Sequence, residues 1–135
     1  MTSTLSYRSW PDIFDEPPPA YGSKTGVSYI RASAPSIDIY CRDHHTLTIA
    51  QDINNELGAV VWDCGLLMVD LINTCSDDYI SGQTCLDIGC GTGVCGIVAS
   101  ILGAKKVVLT DYIEFDVMNE NIASIGRKKE DCQFI

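Results

Sequence analysis

Apolar and polar side chains alternate along two short stretches in the first half of the chain, residues 37–41 and 46–49. A period of two residues is typical of a strand with one buried face. The polar residues 42–45 separate the stretches, so the pattern predicts a β-hairpin. His44 and His45 fall in this turn, where adjacent histidines are more typical of solvated turn residues than of metal ligands.

Longer apolar segments predict three helices. Residues 60–72 are dense in apolar side chains over a length that favours a helix, and the polar run at residues 76–78 predicts its end. A second helix is predicted over residues 94–102, followed by Gly103, a typical residue after a helix C-terminus. The third helix is predicted from side chains that share one helical face: Phe115, Met118, Ile122 and Ile125.

Short apolar runs between these segments predict buried strands at residues 84–88 and 107–110, with a third strand beginning near Cys132. A glycine-rich loop, residues 89–93, joins the first strand to the second helix. The order strand, loop, helix, strand, helix is that of a parallel α/β unit. We therefore predict an α/β fold preceded by a β-hairpin and a helix.

Length and composition indicate how the chain is divided into an N-terminal segment and a folded portion. The chain has 135 residues, of which 46% are hydrophobic and 20% charged, as expected of one globular domain or part of a larger one. Residues 1–35, rich in Pro, Ser, Gly and Tyr, predict an irregular or flexible N-terminal segment. Residues 36–135 form the folded portion in this interpretation.

Charge and hydropathy disfavour two classes of partner. The net charge of −9 disfavours binding to a nucleic-acid backbone, because clustered Lys and Arg side chains bind its phosphates. The longest uncharged stretch, residues 88–104, is 17 residues long and holds five glycines, so we predict no membrane span. The N-terminus lacks the apolar core of a secretory signal.

The seven cysteines include no C-x-x-C pair, and several lie in apolar segments. Free cysteines of this kind indicate a reducing compartment, the cytoplasm or the nucleus. Cys85, Cys90 and Cys95 recur every five residues, but the predicted elements place them on a strand, a loop and a helix. Free thiols are therefore favoured over a zinc site, and we predict no metal.

The glycine loop carries the candidate chemistry. Glycines allow a tight turn and the close approach of a ligand, and the helix that follows offers unpaired N–H groups. Asp111, at the end of the next strand, suits ribose hydroxyls. The run 91–96 also fits the dinucleotide pattern G-x-G-x-x-G. Asp87, two residues before Gly89, suits a cationic ligand better than a pyrophosphate, and a turn without ligand is the remaining alternative.

The sequence Leu-Asp-Ile-Gly-Cys-Gly-Thr-Gly at residues 86–93 resembles motif I of class I S-adenosylmethionine-dependent methyltransferases. Two upstream runs, at residues 47–51 and 60–63 (Val-Val-Trp-Asp), resemble the signature of the seven-strand protein-lysine methyltransferases in the methyltransferase-like group. The resemblance covers about residues 46–125 and continues downstream at residues 96–100, 102–104, 109–111 and 119–122.

This resemblance implies a Rossmann-like fold, S-adenosylmethionine as cofactor and a protein substrate, such as a chaperone-type ATPase or a translation factor. The cofactor-binding residues that it implies are Trp62, Asp87, Gly89, Gly91, Gly93 and Asp111. The first acid and the three glycines would line the methionine part, and the second acid would hold the ribose. Trp62 would pack beside the cofactor, the alternative being a core tryptophan on a buried helix. The neighbouring Asp63 would either order the cofactor pocket or form part of the solvated edge of the helix.

The resemblance is to the N-terminal part of the family's fold only. The sequence supplies two or three central strands of seven, and it has no counterpart of the later motif that faces the substrate lysine. We therefore assign no catalytic residue and expect an exposed sheet edge that favours association. A protein-lysine methyltransferase is the leading prediction. A histidine-modifying relative, a non-catalytic binding or regulatory fragment and a nicotinamide-dependent oxidoreductase are the alternatives.

Overall fold

The predicted hairpin is present in the computed structural model, which describes residues 5–6, 34–42, 45–54, 57–126 and 130–135. Strand β1 (Leu5–Ser6) pairs in parallel with β2 (Ser36–Cys41), and β2 pairs antiparallel with β3 (His45–Ala50). The apolar positions of the hairpin face the core: Ile37, Ile39 and Ile49 are fully buried, and Leu47 is partly buried. This confirms the predicted alternation.

In the N-terminal half, one detail of the sequence prediction is wrong, and other parts of it fall outside the described residues. His45 begins β3 instead of belonging to the turn, and residues 43–44 lie outside the described residues, so the rest of the predicted turn stays a prediction. In the segment predicted as irregular, the structure describes β1 and, from Ala34 onward, the approach to β2. Residues 1–4 and 7–33 lie outside the described residues.

Helix α1 spans Asp63–Tyr79, so the predicted end at residues 76–78 is wrong. The reason is a tertiary contact. The guanidinium of Arg42, at the end of β2, donates hydrogen bonds of 2.7 and 2.6 Å to the two carboxylate oxygens of Asp77. Asn73 on the preceding turn accepts the Arg42 N–H at 2.9 Å. The hairpin therefore binds the last turns of the helix, and polar residues that break an isolated helix are kept within it.

The second half of the chain is a parallel α/β unit, as predicted. Strands β4, β5 and β6 lie side by side in chain order, and both pairs are parallel. One helix follows each of the first two strands and leads into the next. The bounds are β4 (Thr84–Ile88), α2 (Val94–Ile101), β5 (Lys106–Thr110), α3 (Asp116–Ser124) and β6 (Cys132–Phe134).

The β4–β5–β6 sheet is covered on one face only within the described residues. Val107 and Leu109 of β5 point towards α2 and are fully buried. On the opposite face of the neighbouring strand, Leu86 is 61% and Ile88 79% exposed. Strand β4 pairs with β5 and has no second neighbour among the described strands. The expected open sheet edge is therefore present, next to an uncovered apolar face.

The described helices have modest lengths. The longest of them, α1, has 17 residues. In the described ranges no helix combines the length and the apolar character needed to cross a bilayer.

Helix α2 contacts the sheet through Gly96, which leads to a stability prediction. A Cβ at Gly96 would overlap the Leu109 side chain and lie 3.0 Å from Cγ1 of Val107. In contrast, a Cβ at Gly65 on α1 would meet Cγ1 of Val94 at an ordinary 3.6 Å. Because both changes gain about 1 kcal/mol of helix propensity, we expect Gly96→Ala to be less stable than Gly65→Ala by about 1–3 kcal/mol of overpacking.

Urea unfolding followed by circular dichroism measures this difference between the two variants. Gly65→Ala is the matched control, since it makes the same change on a neighbouring helix with room for the methyl group. Equal free energies of unfolding for the two variants would show that α2 can move off the sheet without loss.

Candidate functional site

The glycine loop at residues 89–93 joins the carboxyl end of β4 to the first turn of α2. Gly91 has φ +53° and Gly93 has φ +81°, in the left-handed region that favours glycine. Gly91 also lacks space, because a Cβ there would lie 2.5 Å from the carbonyl oxygen of Gly58. The loop is therefore a tight turn whose backbone lies against a second segment of the chain.

Residues at the end of β5 hold the first half of this loop. The carbonyl of Thr110 accepts hydrogen bonds from the N–H groups of Gly89 and Cys90, at 2.8 and 3.0 Å. The next residue, Asp111, accepts the N–H of Gly91 at 2.8 Å through Oδ2 and that of Tyr112 at 2.8 Å through Oδ1. Asp111 is thus fixed beside the loop, where the sequence placed it.

Asp87 lies at the other side of the loop, near the end of β4. Its Oδ2 accepts the N–H of Gly96, in the first turn of α2, at 3.0 Å. Burial raises the pKa of the Asp87 carboxyl; the hydrogen bond from Gly96 opposes that shift, and the negative charge of Asp111 adds to it. The structure therefore brings the two predicted carboxylates to one end of the sheet, around one loop.

Trp62 precedes α1 instead of lying on it. Its backbone is extended, it occupies the N-cap position, and 43% of its surface is exposed, so the alternative of a core tryptophan is wrong. Its indole N–H donates a 2.9 Å hydrogen bond to the carbonyl of Leu57. The adjacent Gly58 lies against Gly91, so Trp62 is anchored to the turn that contacts the glycine loop. Its packing beside a cofactor stays a prediction, as does the role of Asp63, the first residue of α1.

Two features of the site were absent from the sequence prediction. The first is a 3₁₀ turn, Leu57–Ala59, in which Gly58 lies between the Phe115 ring and the glycine loop. The second is Asn121, a buried side chain of α3 that bonds the carbonyl of Thr92 in the loop. A polar residue on the apolar face that carries Met118 was the available signal for Asn121. Gly58 carried no comparable signal, because its contacts are distant in sequence.

The cysteines around the loop are free thiols. Burial raises the pKa of Cys90 and that of Cys95 to about 12 each. Zinc binds the thiolate, which such burial disfavours. The described residues contain no group of three or more His, Cys, Asp or Glu side chains that could hold a metal ion.

Comparison with known proteins identifies the class of this fold and loop. A family model described as lysine methyltransferase matches residues 41–133. The match includes β3, the strand and the helix on the two sides of the glycine loop, β5 and the first two residues of β6. The chain belongs to the lysine methyltransferase family.

Individual relatives agree with this assignment. The chain is 36% identical over 92 residues to protein N-lysine methyltransferase METTL21A of Danio rerio, covering 64% of the chain and 41% of the relative. It is 31% identical over 85 residues to EEF1A lysine methyltransferase 3 of Mus musculus, covering 62% and 36%. The chain therefore spans less than half the length of these relatives.

A solved structure is also similar, a tRNA (uracil-54, C5)-methyltransferase of Pyrococcus abyssi in complex with S-adenosyl-L-homocysteine. The TM-score is 0.46 at 19% identity, over 75% of this chain and 23% of that one. The family match and the strand order confirm the predicted α/β methyltransferase class. A lysine methyltransferase takes its methyl group from S-adenosylmethionine, the predicted cofactor.

Proposed function

We propose that this chain forms the S-adenosylmethionine-binding part of an enzyme that methylates lysine side chains of proteins. The lysine methyltransferase family supports the reaction, and the names of the Danio rerio and Mus musculus relatives support a protein acceptor. The structure contributes a test of whether the site fits this cofactor, independent of the family name.

One observation carries the proposal: the carboxylate of Asp87, on β4, accepts the N–H of Gly96 in the first turn of α2. Helix N-termini with free N–H groups bind phosphate. Here a carboxylate already takes one of those N–H groups and places negative charge at the helix end. A pyrophosphate would be repelled, whereas the ammonium and sulfonium of S-adenosylmethionine would be attracted.

The remaining predicted residues fit the same ligand. Asp111 keeps unused lone pairs on both carboxylate oxygens after bonding Gly91 and Tyr112, and these suit ribose hydroxyls. At Gly89 nothing lies within 4 Å of the Cβ position, so this glycine leaves room for a ligand. Gly91 and Gly93 instead let the loop pack against Gly58 and Met118. Trp62, half exposed and anchored to Leu57, offers an aromatic surface close to the same turn. These assignments support binding of the methionine and ribose parts.

In the reaction, S-adenosylmethionine supplies a methyl group that is already activated by the positive sulfur. The protein's task is to bind the cofactor, exclude water and align the lysine amine with that methyl group. Asp87, Asp111 and the loop glycines serve the first part of this task. We assign the acceptor-aligning groups to no residue of the described ranges.

The acceptor proposal can be made narrower. We propose a lysine of a translation factor or of a chaperone-type ATPase, and the name of the mouse relative, EEF1A lysine methyltransferase 3, supports one particular protein as the acceptor. The seven free cysteines support a reducing location, in the cytoplasm or the nucleus.

Calorimetric titration of the 135-residue chain with S-adenosylmethionine, S-adenosylhomocysteine and NAD tests the cofactor. We expect tighter binding of the two sulfur ligands, because Asp87 attracts their ammonium and repels a pyrophosphate. Tighter binding of NAD would contradict the proposal and favour an oxidoreductase. An acceptor is then sought by mass spectrometry of methylated lysines.

A further inference from the structure

A buried asparagine links the glycine loop to the hairpin. Asn121 on α3 is 1% exposed. Its Oδ1 accepts the N–H of Ala50 at 2.8 Å, and its Nδ2 donates to the carbonyl of the same residue at 3.1 Å. The Nδ2 group also donates to the carbonyl of Thr92 at 3.1 Å. One side chain therefore bonds both backbone groups at the end of β3 and the middle of the loop.

The bonded groups have poor access to water. Thr92 is 2% exposed, and the Cβ position of the adjacent Gly93 lies 3.2 Å from Cγ of Met118, also on α3. Without the Asn121 amide, the Thr92 carbonyl would lose this partner in an apolar surrounding. A buried polar group without a partner is costly, so the loop would move to find one.

The other loop contacts act on different residues. Thr110 and Asp111 hold the N–H groups of residues 89–91 from the end of β5. Asn121, on α3, bonds the Thr92 carbonyl further along the loop. The shape of the second half of the loop, which leads into the helix end bonded by Asp87, therefore depends on α3.

From this geometry we infer that Asn121 is a positioning residue for the cofactor: it holds the Thr92 carbonyl so that residues 91–93 keep their binding conformation. The inference rests on the proposed function for the ligand, while the loop geometry stands without it. Asn121 does not need to touch the cofactor to act in this way.

The test compares Asn121→Ala with Val69→Ala, a control that removes a fully buried side chain from α1. Each variant of the chain is titrated with S-adenosylhomocysteine at a temperature where thermal melting shows it to be folded. We expect at least about a tenfold loss of affinity for Asn121→Ala, equivalent to the loss of a buried hydrogen bond. The control is expected to stay within about twofold, since its loss of stability does not act through the loop.

A second variant and a second measurement keep the inference testable. If Asn121→Ala does not fold, Asn121→Asp replaces it, since it retains the acceptor for the Ala50 N–H and removes the donor to the carbonyls of Thr92 and Ala50. Hydrogen exchange of the Gly91 and Gly93 amides, measured by NMR without ligand, should be faster in the Asn121 variant than in the control. A wild-type chain that binds no cofactor would reject the proposed function, and the exchange data would still decide the inference. Equal affinity and equal exchange in both variants would overturn it.

Discussion

Methyl transfer by the 135-residue chain alone is expected to be slower than that of a longer relative by about 100,000-fold or more. Aligning a nucleophile with its target contributes roughly 7–11 kcal/mol in well-oriented reactions. In the described residues, one sheet face and the β4 edge are uncovered, and we find no group that would align the lysine. The measurement is a radiolabelled-methyl assay on purified chain with cell lysate as acceptor.

The control for this assay is the Mus musculus relative EEF1A lysine methyltransferase 3, of which the chain covers 36%. It should label the same lysate under the same conditions. Robust labelling by the chain that disappears in Asp87→Asn would show that the 135-residue chain aligns the acceptor lysine by itself. That outcome would reject the alternative of a non-catalytic binding fragment as well.

Replacing Asp87 with Asn is expected to weaken S-adenosylmethionine binding by about tenfold to 100-fold. The reason is the loss of about 1.5–3 kcal/mol of charged hydrogen bonding between the carboxylate and the ammonium of the cofactor. An asparagine oxygen can still accept the N–H of Gly96, so the helix end is retained while the charge is removed. The same titration used for the wild-type chain measures the effect. Asp78→Asn is the matched control. It makes the same charge change at an exposed residue in the last turn of α1, outside the glycine loop.

Stability should change in the opposite direction from affinity. Burial, with the charge of Asp111, raises the pKa of Asp87 above the ordinary value of 3.8. The folded chain therefore binds this proton more tightly than the unfolded chain, and the contribution of Asp87 to stability is lost as pH rises through its folded pKa. Asp87→Asn should melt at or above the wild-type temperature at pH 7. That difference should shrink as the pH falls below 3.8, where wild-type Asp87 is protonated in both states.

A lower melting temperature for Asp87→Asn at pH 7, with unchanged cofactor affinity, would contradict both expectations. It would mean that the ionised carboxylate stabilises the helix end more than burial penalises it. The combination that we expect, a retained or higher melting temperature with weaker binding, is typical of a residue whose charge serves a ligand.

Much of the fold could be predicted because its signals are local. The apolar run at residues 84–88 predicted β4 with the observed bounds, and the alternation around Ile37 and Ile49 predicted the hairpin. Glycines at the loop predicted the tight turn, since positive φ values favour residues without a side chain. Asp87 was predicted at the loop from its place two residues before Gly89, and Asp111 from its place at the end of the next strand.

The same reasoning was wrong where distant parts of the chain meet. Residues 76–78 predict a helix end by composition, yet α1 continues to Tyr79, because Arg42, 35 residues away, bonds the Asp77 carboxylate. Trp62 was also predicted on the helix, but this error is local: the structure places Trp62 before the helix, with its indole bonded to Leu57, five residues earlier.

The sequence by itself determined the order of strands and helices, the glycine turn and the two acids beside it, since each depends on neighbouring residues. Only the tertiary structure decided what those acids bond, how Gly58 lies against Gly91, and which side chain holds Thr92. Asn121 bonds Ala50 across 71 residues and Thr92 across 29. Such partners leave no periodic pattern in the sequence, because burial and hydrogen-bond geometry select them only when the elements pack together.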